Sequence, residues 1–423
     1  MKKKYRIILY TSIFLLCVVA SIILVVKKSN SVYEEESKPK VVKHKSMLSM
    51  NLEQTAGSGD YKTVTQSSWP TEGYKFNAEL SKCENGSTLS WDDTKKAVIM
   101  QGNVSDKCYV YFDIWIPSIA DYCTSGTDLA TCVKNFGDQG PSVSNIYIHN
   151  SSLTNGAGDN SYRYAGANPN NFVCFGSDAS PCPIDNLYRI IGVFGENYHG
   201  ANGKQLVKLI KYDYMTTDEL GTDGDYSQTY KEWGMDSTYK GTYGDGERIG
   251  VYYWNYKATG SATNTWSTSL LNKTNLNTNF INNIGTTWAN KIATVTWKVG
   301  GNTWANIGTK TSSVAYTNEI TNPVTTNTTD NATTYSAKIG LMYVSDYGFA
   351  ASPDAWTLTM SSYNNTTATN NNWMYMGLYE WTISRDAGDS RGAFFVFFDG
   401  FVDCDDVGGD FGVRASFNLE SSV

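Results

Sequence analysis

The pattern of apolar and polar residues along the chain begins with one long hydrophobic segment. Residues 6 to 26 read RIILYTSIFLLCVVASIILVV, in which every residue after the arginine is uncharged. A helix of about 20 such residues spans the ~30 Å hydrocarbon core of a bilayer. The pattern predicts an uncleaved transmembrane helix that forms a membrane anchor at residues 1 to 28.

A cleaved signal peptide is the alternative interpretation of this segment. Such a peptide has a shorter apolar region followed by a small-x-small cleavage site, whereas Lys27 and Lys28 follow directly here. Positive charges flank the segment on both sides, so the positive-inside rule gives only weak support to a cytoplasmic N-terminus. The side of the membrane on which the rest of the chain lies has to be inferred from other residues.

The next two zones differ in their periodicity. Residues 29 to 60 are polar and mixed in charge without an apolar period, which is typical of a stalk or linker. Residues 61 to 113 contain short alternating runs broken by turn residues. The runs KKAVIMQG and CYVYFDIWI bracket a turn and predict two strands. We expect a small β domain here, with a spacer role.

The remaining zone, residues 114 to 423, mixes helical and strand patterns. SIADYCTSGTDLATCVKNF predicts a helix, while LYRIIGVF and KQLVKLIKYDY predict the two strands of a hairpin. Between Asn264 and Asn372 the chain is rich in Asn, Thr and Ser but keeps apolar runs, which indicates a folded region with long polar loops. The fold class predicted for the whole chain is α+β, preceded by the transmembrane helix.

Composition excludes several classes of function. A net charge of −7 argues against nucleic-acid binding, which needs a clustered cationic surface that neutralises phosphates. The three histidines offer little material for zinc or acid-base chemistry. The 29 Tyr, 12 Trp and 37 Gly favour a structure rich in strands and loops. We expect no metal and no cofactor.

The cysteines indicate an oxidising environment. Six of them form neighbouring pairs along the chain, and the spacing C-x-x-C of zinc sites does not occur. Six cysteines allow 15 connectivities, so the pairing stays a prediction from proximity. The expected disulfides are Cys83 with Cys108, Cys123 with Cys132, and Cys174 with Cys182. Together with the anchor, these disulfides predict a single-pass cell-membrane protein whose C-terminal ectodomain is extracellular. Cys404 is left without a partner in this pairing.

The C-terminal stretch has an unusual composition. The strand-like runs AFFVFF and VRASFNL flank DGFVDCDDVGGDFG, which is too rich in Gly and Asp to be regular strand throughout. Residues 382 to 417 contain no Lys, Glu, Gln, Met or Trp, and no Asn occurs from Met374 to Phe417. Every residue type in 382 to 417 can be encoded by a codon that ends in a pyrimidine, whereas the five excluded types cannot.

A motif in this stretch resembles a known family. It consists of Trp381, Ser384, Ala393, Phe394, Val396, Gly400, Gly412, Val413, Arg414, Ser416 and Phe417. Its layout is similar to C-type-lectin-like domains of the formylglycine-generating-enzyme type, especially the variable proteins of diversity-generating retroelements and their bacterial surface paralogues of Firmicutes and Mollicutes type. In those proteins a reverse transcriptase rewrites adenines, commonly in Asn codons, and depletion of Asn is what a rewritten copy would show.

The resemblance covers most of residues 114 to 423. It implies a C-type-lectin-like domain there, with a variable-type region at 382 to 417. The scaffold residues that it implies are Trp381, Ala393, Phe394, Val396, Gly412, Val413 and Arg414, with Gly412 permitting a turn. The positions that it implies to vary, and therefore to face a ligand, are Asp386, Gly388, Asp389, Ser390, Arg391, Gly392, Phe395, Phe397, Phe398, Asp399, Phe401, Asp403, Cys404, Asp405, Asp406, Gly408, Gly409, Asp410 and Phe411. The alternative is that several of these Phe are core and the Asp cluster is a solvated loop.

The leading functional hypothesis is a surface-displayed binding protein for an unknown protein or glycan ligand, anchored in the membrane by its N-terminal helix. A structural surface protein without a dedicated ligand is the alternative. An oxidase of the formylglycine-generating type is the third, but such enzymes use a cysteine pair and Cys404 stands alone. The acidic run matches no calcium loop, and no catalytic motif occurs, so we expect no enzyme and no catalytic residues.

Overall fold

The computed structural model describes residues 48–65, 68–70, 73–195, 199–201, 203–224, 239–243, 249–307, 309–323, 332–364 and 366–423. The chain divides into two compact units between Ile116 and Pro117. The change of pattern along the sequence predicts this boundary between residues 113 and 114. The described chain is α+β and contains more strand than helix.

The first unit is built from β-strands. These are β1 (Leu48–Glu53), β2 (Tyr61–Val64), β3 (Tyr74–Cys83), β4 (Thr88–Asp92), β5 (Ala97–Gln101) and β6 (Cys108–Ile114). Four of them form a sheet in the order β2-β1-β6-β3, and β4 pairs with β5 as a hairpin. The predicted strands β5 and β6 are therefore present, although they belong to different sheets.

Strand β1 corrects the predicted linker at residues 29 to 60. It runs parallel to β6, with Met50 opposite Val110 and Leu52 opposite Phe112. These four side chains are the buried core of the unit. The alternation of β1 covers only a few residues and is flanked by polar sequence, so it was too short to stand out.

The second unit contains fourteen described strands. These are β7 (Ile146–Ile148), β8 (Tyr162–Tyr164), β9 (Phe172–Cys174), β10 (Leu187–Phe194), β11 (Leu206–Lys211), β12 (Val251–Tyr252), β13 (Val295–Lys298), β14 (Thr334–Ala337), β15 (Ile339–Gly340), β16 (Glu380–Arg385), β17 (Gly392–Val396), β18 (Val402–Asp406), β19 (Phe411–Gly412) and β20 (Ser416–Asn418). One sheet has the order β15-β20-β11-β10-β8-β7, with β9 also paired to β10. A second has the order β12-β19-β16-β17-β18, and β13 pairs with β14.

Helices of this unit are short. The α-helices are Leu129–Gly137, Pro141–Ser144, Thr217–Leu220, Ile281–Asn283, Gly285–Ala289, Trp304–Ile307, Ser312–Tyr316, Val344–Ala350 and Thr366–Thr369. Two π-helical stretches are Leu271–Phe280 and Thr317–Thr321. The 3-10 turns are Ile119–Tyr122, Ile184–Asn186, Trp266–Thr268, Pro353–Thr357 and Met360–Ser362.

The predicted hairpin is confirmed as the antiparallel pair of β10 and β11. Nearly every residue of both strands is buried, which explains their continuous apolar runs. The register shifts next to Gly192, where a Cβ would overlap the backbone oxygen of Tyr162 on β8. Glycine at this position therefore allows the strands to approach.

The helix predicted near residues 118 to 136 is divided into two parts. A 3-10 turn at Ile119–Tyr122 is followed by the α-helix Leu129–Gly137, whose first turn is capped by the side chain of Asp128. Between them Gly126 has a φ of 85°, a backbone conformation that ends a right-handed helix. The disulfide between Cys123 and Cys132 joins the two parts.

All three predicted disulfides are present. Cys83 pairs with Cys108, Cys123 with Cys132, and Cys174 with Cys182. Cys83 and Cys108 also face each other across β3 and β6. Among the described cysteines, Cys404 alone is free.

The predicted membrane architecture is corrected. None of the helices in the described ranges is long and apolar enough to cross a bilayer, and the helical stretch Leu271–Phe280 is rich in Asn and Thr. The predictions of a fold that begins with a transmembrane helix and of a single-pass cell-membrane location are wrong by this finding. Residues 6 to 26, on which they rested, lie outside the described residues.

Candidate functional site

The candidate site lies at one edge of the five-stranded sheet, where β16, β17 and β18 run side by side. Strand β17 pairs antiparallel with both neighbours, and its pairing with β18 places Gly392 opposite Asp406 and Phe394 opposite Cys404. This pairing brings the start of the predicted variable region next to its later part. Residues of two strands that follow each other in the chain thus share one wall.

A cavity of about 540 Å³ opens at this edge. That volume is within the range of small-molecule and side-chain binding pockets, roughly 300 to 1,000 Å³. Most of its lining belongs to positions implied to vary, and the rest comes from a segment that the sequence analysis did not single out. The lining residues are Thr303, Trp304, Ala305, Asp386, Gly388, Asp389, Arg391, Gly392, Cys404, Asp405 and Asp406.

Asp386 is the buried acid of the cavity, with only 4% of its surface exposed. Its Oδ1 accepts hydrogen bonds from the backbone N–H groups of Gly388, at 2.6 Å, and Trp304, at 3.2 Å. Burial raises the pKa of Asp386, while these N–H groups oppose the rise. Its Oδ2 is approached by the thiol of Cys404 at 3.8 Å.

Trp304 forms the opposite lip of the cavity. It begins the helix Trp304–Ile307, and 58% of its surface is exposed. Its indole Nε1 donates a hydrogen bond of 2.7 Å to Asp403 Oδ1 on β18, which fixes the ring across the edge of the sheet. An exposed Trp held in place at a cavity is the kind of rigid aromatic anchor that binding sites use.

The segment before Trp304 is docked against the end of β16. The backbone oxygen of Asn302 accepts a hydrogen bond of 2.8 Å from Ala387 N. A Cβ on Gly301 would overlap the backbone oxygen of Arg385. The absence of a side chain at Gly301 therefore allows Trp304 to reach the cavity. No local sequence pattern indicates this contact, because the two segments are more than 80 residues apart.

Asn264 fixes the loop between β16 and β17. This buried side chain lies within hydrogen-bonding distance of three backbone oxygens, those of Asp386, Asp389 and Gly392, at 2.7 to 2.8 Å. Its backbone N–H donates to the backbone oxygen of Ser390 at 2.7 Å. The loop that carries the predicted variable residues is thus held in one conformation before any ligand arrives.

Acidic groups dominate the charge of the cavity. The described lining residues include four carboxylates and a single guanidinium, that of Arg391. Arg391 forms a surface ion pair with Asp406. Asp386, Asp389 and Asp405 are therefore left without a cationic partner among the described lining residues.

Cys404 lies between Gly392 and Asp386 in the cavity wall. A Cβ on Gly392 would lie 2.6 Å from its sulfur. Burial, followed by the negative charges of Asp386 and Asp403, raises the pKa of the Cys404 thiol well above its usual range. The thiolate is the nucleophilic form of cysteine, so this environment suppresses its reactivity.

Several aromatic positions that were implied to face a ligand are instead core. Phe395 and Phe411 are buried, and their rings are 4.5 Å apart. Both pack against Trp381 and Tyr379. Phe397, Phe398 and Phe401 are half-buried around the turn between β17 and β18 and do not line the cavity. The alternative interpretation, that some of these Phe are core, is correct for Phe395 and Phe411.

The other implied positions are placed as follows. Gly388, Asp389, Ser390, Arg391, Asp405 and Gly408 are exposed, and Asp399, Asp403, Gly409 and Asp410 are half-buried. All implied scaffold residues are buried. Gly412 lies in strand β19 and not in a turn, and a Cβ there would lie 2.7 Å from the ring of Tyr214. Close packing, not turn geometry, requires glycine at this position.

A second group of charged residues is enclosed in the core. Lys208 on β11 donates a 2.5 Å hydrogen bond to Asp346, and Arg163 on β8 pairs with Asp159 at 2.8 Å. Although burial alone would raise it, Lys208 and Arg163 lower the pKa of Asp346. His199 lies 3.3 Å from Asp159, and burial lowers the pKa of His199 to about 4. At most 3% of each of these side chains is exposed, so they tie β8 and β11 to the helix Val344–Ala350 instead of meeting a ligand.

Glu319 extends this buried group. It accepts hydrogen bonds from the backbone N–H groups of Val344, at 3.1 Å, and Ser345, at 3.0 Å, and from the hydroxyl of Ser384 on β16. Burial raises the pKa of Glu319 to about 7. Ser384 belongs to the motif that resembles a known family, but no sequence pattern indicates the charged residues of this group.

A metal site is not formed by the described residues of the cavity. Within the described residues, three potential metal ligands have their ligand atoms within 4.8 Å of one another in the first unit. They are Cys83, Asp106 and Cys108. Two of these are joined as a disulfide. The cavity carboxylates are too widely spaced to surround a hard cation, which needs six to eight oxygen ligands.

The chain matches no protein-family model, no curated protein and no solved structure.

Proposed function

We propose that this protein is a ligand-binding protein whose recognition site is the cavity at the edge of β16, β17 and β18. The observation that carries the proposal is a cavity of about 540 Å³ whose walls are fixed by internal hydrogen bonds. Asn264 holds one wall, and the bond from Trp304 to Asp403 holds the other. A site arranged in advance loses little conformational entropy when it binds.

Binding is better supported than catalysis. The one described thiol in the cavity, that of Cys404, is kept protonated by its raised pKa. The carboxylate of Asp386 lies 3.8 Å from this sulfur, and its negative charge disfavours the thiolate, whereas a catalytic thiol has a neighbour that stabilises the thiolate, such as a protonated His. The three disulfides favour action in an oxidising environment, such as outside the cell.

The codon-restricted composition belongs to the same proposal. Eight cavity residues fall within the stretch from 382 to 417, so substitutions there would change ligand preference while the buried scaffold stays the same. Rewriting by a retroelement requires codons that end in C or T at these positions, a near-copy of the coding sequence of this stretch, and a reverse transcriptase gene nearby. A gene that lacks these features would contradict diversification but would leave ligand binding intact.

The test is binding of the full chain to glycan and protein arrays. The wild type is compared with the double variant Trp304→Ala/Asp386→Asn, and Asp354→Asn serves as a control because Asp354 is an exposed carboxylate outside the cavity. We expect array signals that the double variant loses and the control keeps. Absence of any signal, or equal signals from the double variant, would contradict the proposal and favour a structural role without a dedicated ligand.

A further inference from the structure

The chemistry of the cavity defines the class of ligand more narrowly than its volume does. We infer that the cavity recognises an organic cation, an alkylammonium or guanidinium group, which is seated between the carboxylate of Asp386 and the indole of Trp304. This inference rests on the proposed binding function and concerns the same site. It is supported by three independent features of the wall.

The first feature is the state of Asp386. It is 96% buried in the cavity wall, and its Oδ1 is occupied by two backbone N–H groups. Among the described residues, its Oδ2 has no N–H or O–H donor, and its neighbour is the weakly donating thiol of Cys404 at 3.8 Å. A buried carboxylate oxygen without a strong donor is costly, and a charged N–H group from a ligand would satisfy it.

The second feature is the excess of negative charge. Asp389 and Asp405 add to Asp386, and the guanidinium of Arg391 is already engaged by Asp406. The buried guanidinium of Arg385, outside the lining, attracts Asp386 and offsets part of this charge. A ligand with a carboxylate or phosphate would meet like charges at this wall. A cation would meet opposite charges, which also raises its rate of association.

The third feature is the indole of Trp304. It is exposed, and its Nε1 is held by Asp403, so the ring is kept at the lip of the cavity. The face of Trp attracts cations through its quadrupole, and Trp is the best of the aromatic side chains in this respect. Carboxylates beside a fixed indole are the groups that bind an ammonium or guanidinium ion.

A metal ion does not explain these features. No three carboxylates of the described cavity wall come within 4.8 Å of one another, so they cannot converge on one small ion. Carboxylates spread along a 540 Å³ cavity suit a ligand that carries its charge on an extended chain. Two sources share this chemistry: a Lys or Arg side chain of another protein, and a free polyamine.

The experiment is calorimetric titration of the full chain at low salt. The probes are spermidine, the peptides acetyl-Gly-Lys-Gly-amide and acetyl-Gly-Arg-Gly-amide, the neutral acetyl-Gly-Gln-Gly-amide, and CaCl₂. We expect the cationic probes to bind, the neutral peptide not to bind, and added salt to weaken binding because the outer carboxylates are screened. Tighter binding of a peptide identifies a protein side chain as the ligand, and tighter binding of spermidine identifies a polyamine.

The variants separate the contributions of the wall. Asp386→Asn, which keeps an acceptor for the two N–H groups, is expected to weaken cation binding about tenfold or more. Trp304→Ala is expected to weaken it about 3- to 30-fold, and Trp304→Phe to restore part of that loss. Asp405→Asn tests the outer charge with an exposed residue whose substitution leaves the core intact, and Asp354→Asn is the control.

Three outcomes would overturn the inference. In the first, the cationic probes bind no better than the neutral peptide. In the second, binding of the cationic probes is unchanged in both Asp386→Asn and Asp405→Asn. In the third, calcium alone binds, and Asp386→Asn abolishes that binding. If the arrays give a ligand that depends on the cavity while the cations do not bind, the inference fails and the proposed function stands. If neither assay gives binding that depends on the cavity, both fail.

Discussion

At the scale of single residues, Glu319 offers a measurable consequence of burial. Its carboxyl group is enclosed by the helix Val344–Ala350 and β16. Burial raises its pKa to about 7 from an ordinary value of 4.5, so the folded protein holds this proton more tightly than the unfolded chain does. The resulting stabilisation is fully present below pH 4.5 and is lost as the pH rises through 7, by about 3 kcal/mol.

The variant Glu319→Gln removes this titration. We expect the free energy of unfolding of the variant, relative to the wild type, to increase by about 3 kcal/mol between pH 4.5 and pH 8. Urea unfolding at several pH values, followed by tryptophan fluorescence, measures the difference. The surface ion pair of Glu420 with Lys204 supplies the control Glu420→Gln, which removes a carboxyl group outside the buried cluster. Parallel profiles for Glu319→Gln and the wild type would contradict the prediction.

At the scale of elements, the cavity depends on how the segment before Trp304 docks on β16. A methyl group at Gly301 would meet the backbone oxygen of Arg385, which cannot move without disturbing the strand. We expect Gly301→Ala to lower the free energy of unfolding of the second unit by about 1 to 3 kcal/mol. Denaturant unfolding measures this loss.

Gly195→Ala is the matched control for that variant. A Cβ on Gly195 would meet only the side chain of Gln205, at 3.9 Å, which is ordinary contact. Its effect should stay within about 0.5 kcal/mol. Equal stabilities of the two variants would show that the segment before Trp304 has room to move, and the account of a fixed cavity wall would be wrong.

The strands of the site could be predicted, but its far wall could not. The continuous apolar run AFFVFF indicates β17, and all five residues of this strand are buried, as in strands covered on both faces. Trp304 and Asn264 come from polar loops distant in sequence, and no local pattern specifies such contacts. The family resemblance implies that Phe395 and Phe411 face a ligand, whereas both are buried. Composition alone does not tell a buried Phe from an exposed one.

At the scale of the whole molecule, the two units differ in how they are stabilised. The first unit has a buried core of four residues and one disulfide, between Cys83 and Cys108, which are 25 residues apart. A loop of that length contributes about 3.5 kcal/mol by chain entropy. For a small unit this is a large share of the total stability.

The double variant Cys83→Ala/Cys108→Ala tests this difference. We expect the first unit to unfold at a much lower temperature, or to be unfolded at 37 °C, while the second unit keeps its transition. Calorimetry with hydrogen exchange assigns each transition to its unit. Cys174→Ala/Cys182→Ala is the control, since it opens a loop of 8 residues in the larger unit. A first unit that melts unchanged would contradict the prediction.

Pairing of cysteines along the chain predicted all three disulfides, since short loops bring neighbours together most readily. Local composition, by contrast, gives a wrong prediction for the segment that forms β1. Met50 and Leu52 lie on an interior strand of a sheet, although the composition of their segment predicts a linker. Their burial depends on β6, more than 50 residues later. Long-range pairing of this kind is set by the tertiary fold and is not visible in a local window.

Strand β18 is the outermost strand of its sheet. Outer strands present unpaired backbone groups that recruit strands from other chains, and charged side chains prevent such aggregation. Asp403, Asp405 and Asp406 place three negative charges along this border. Asp405 and Asp406, which line the cavity, therefore also disfavour pairing with strands of other chains. We expect that apolar side chains at these two positions would lower solubility while they change specificity.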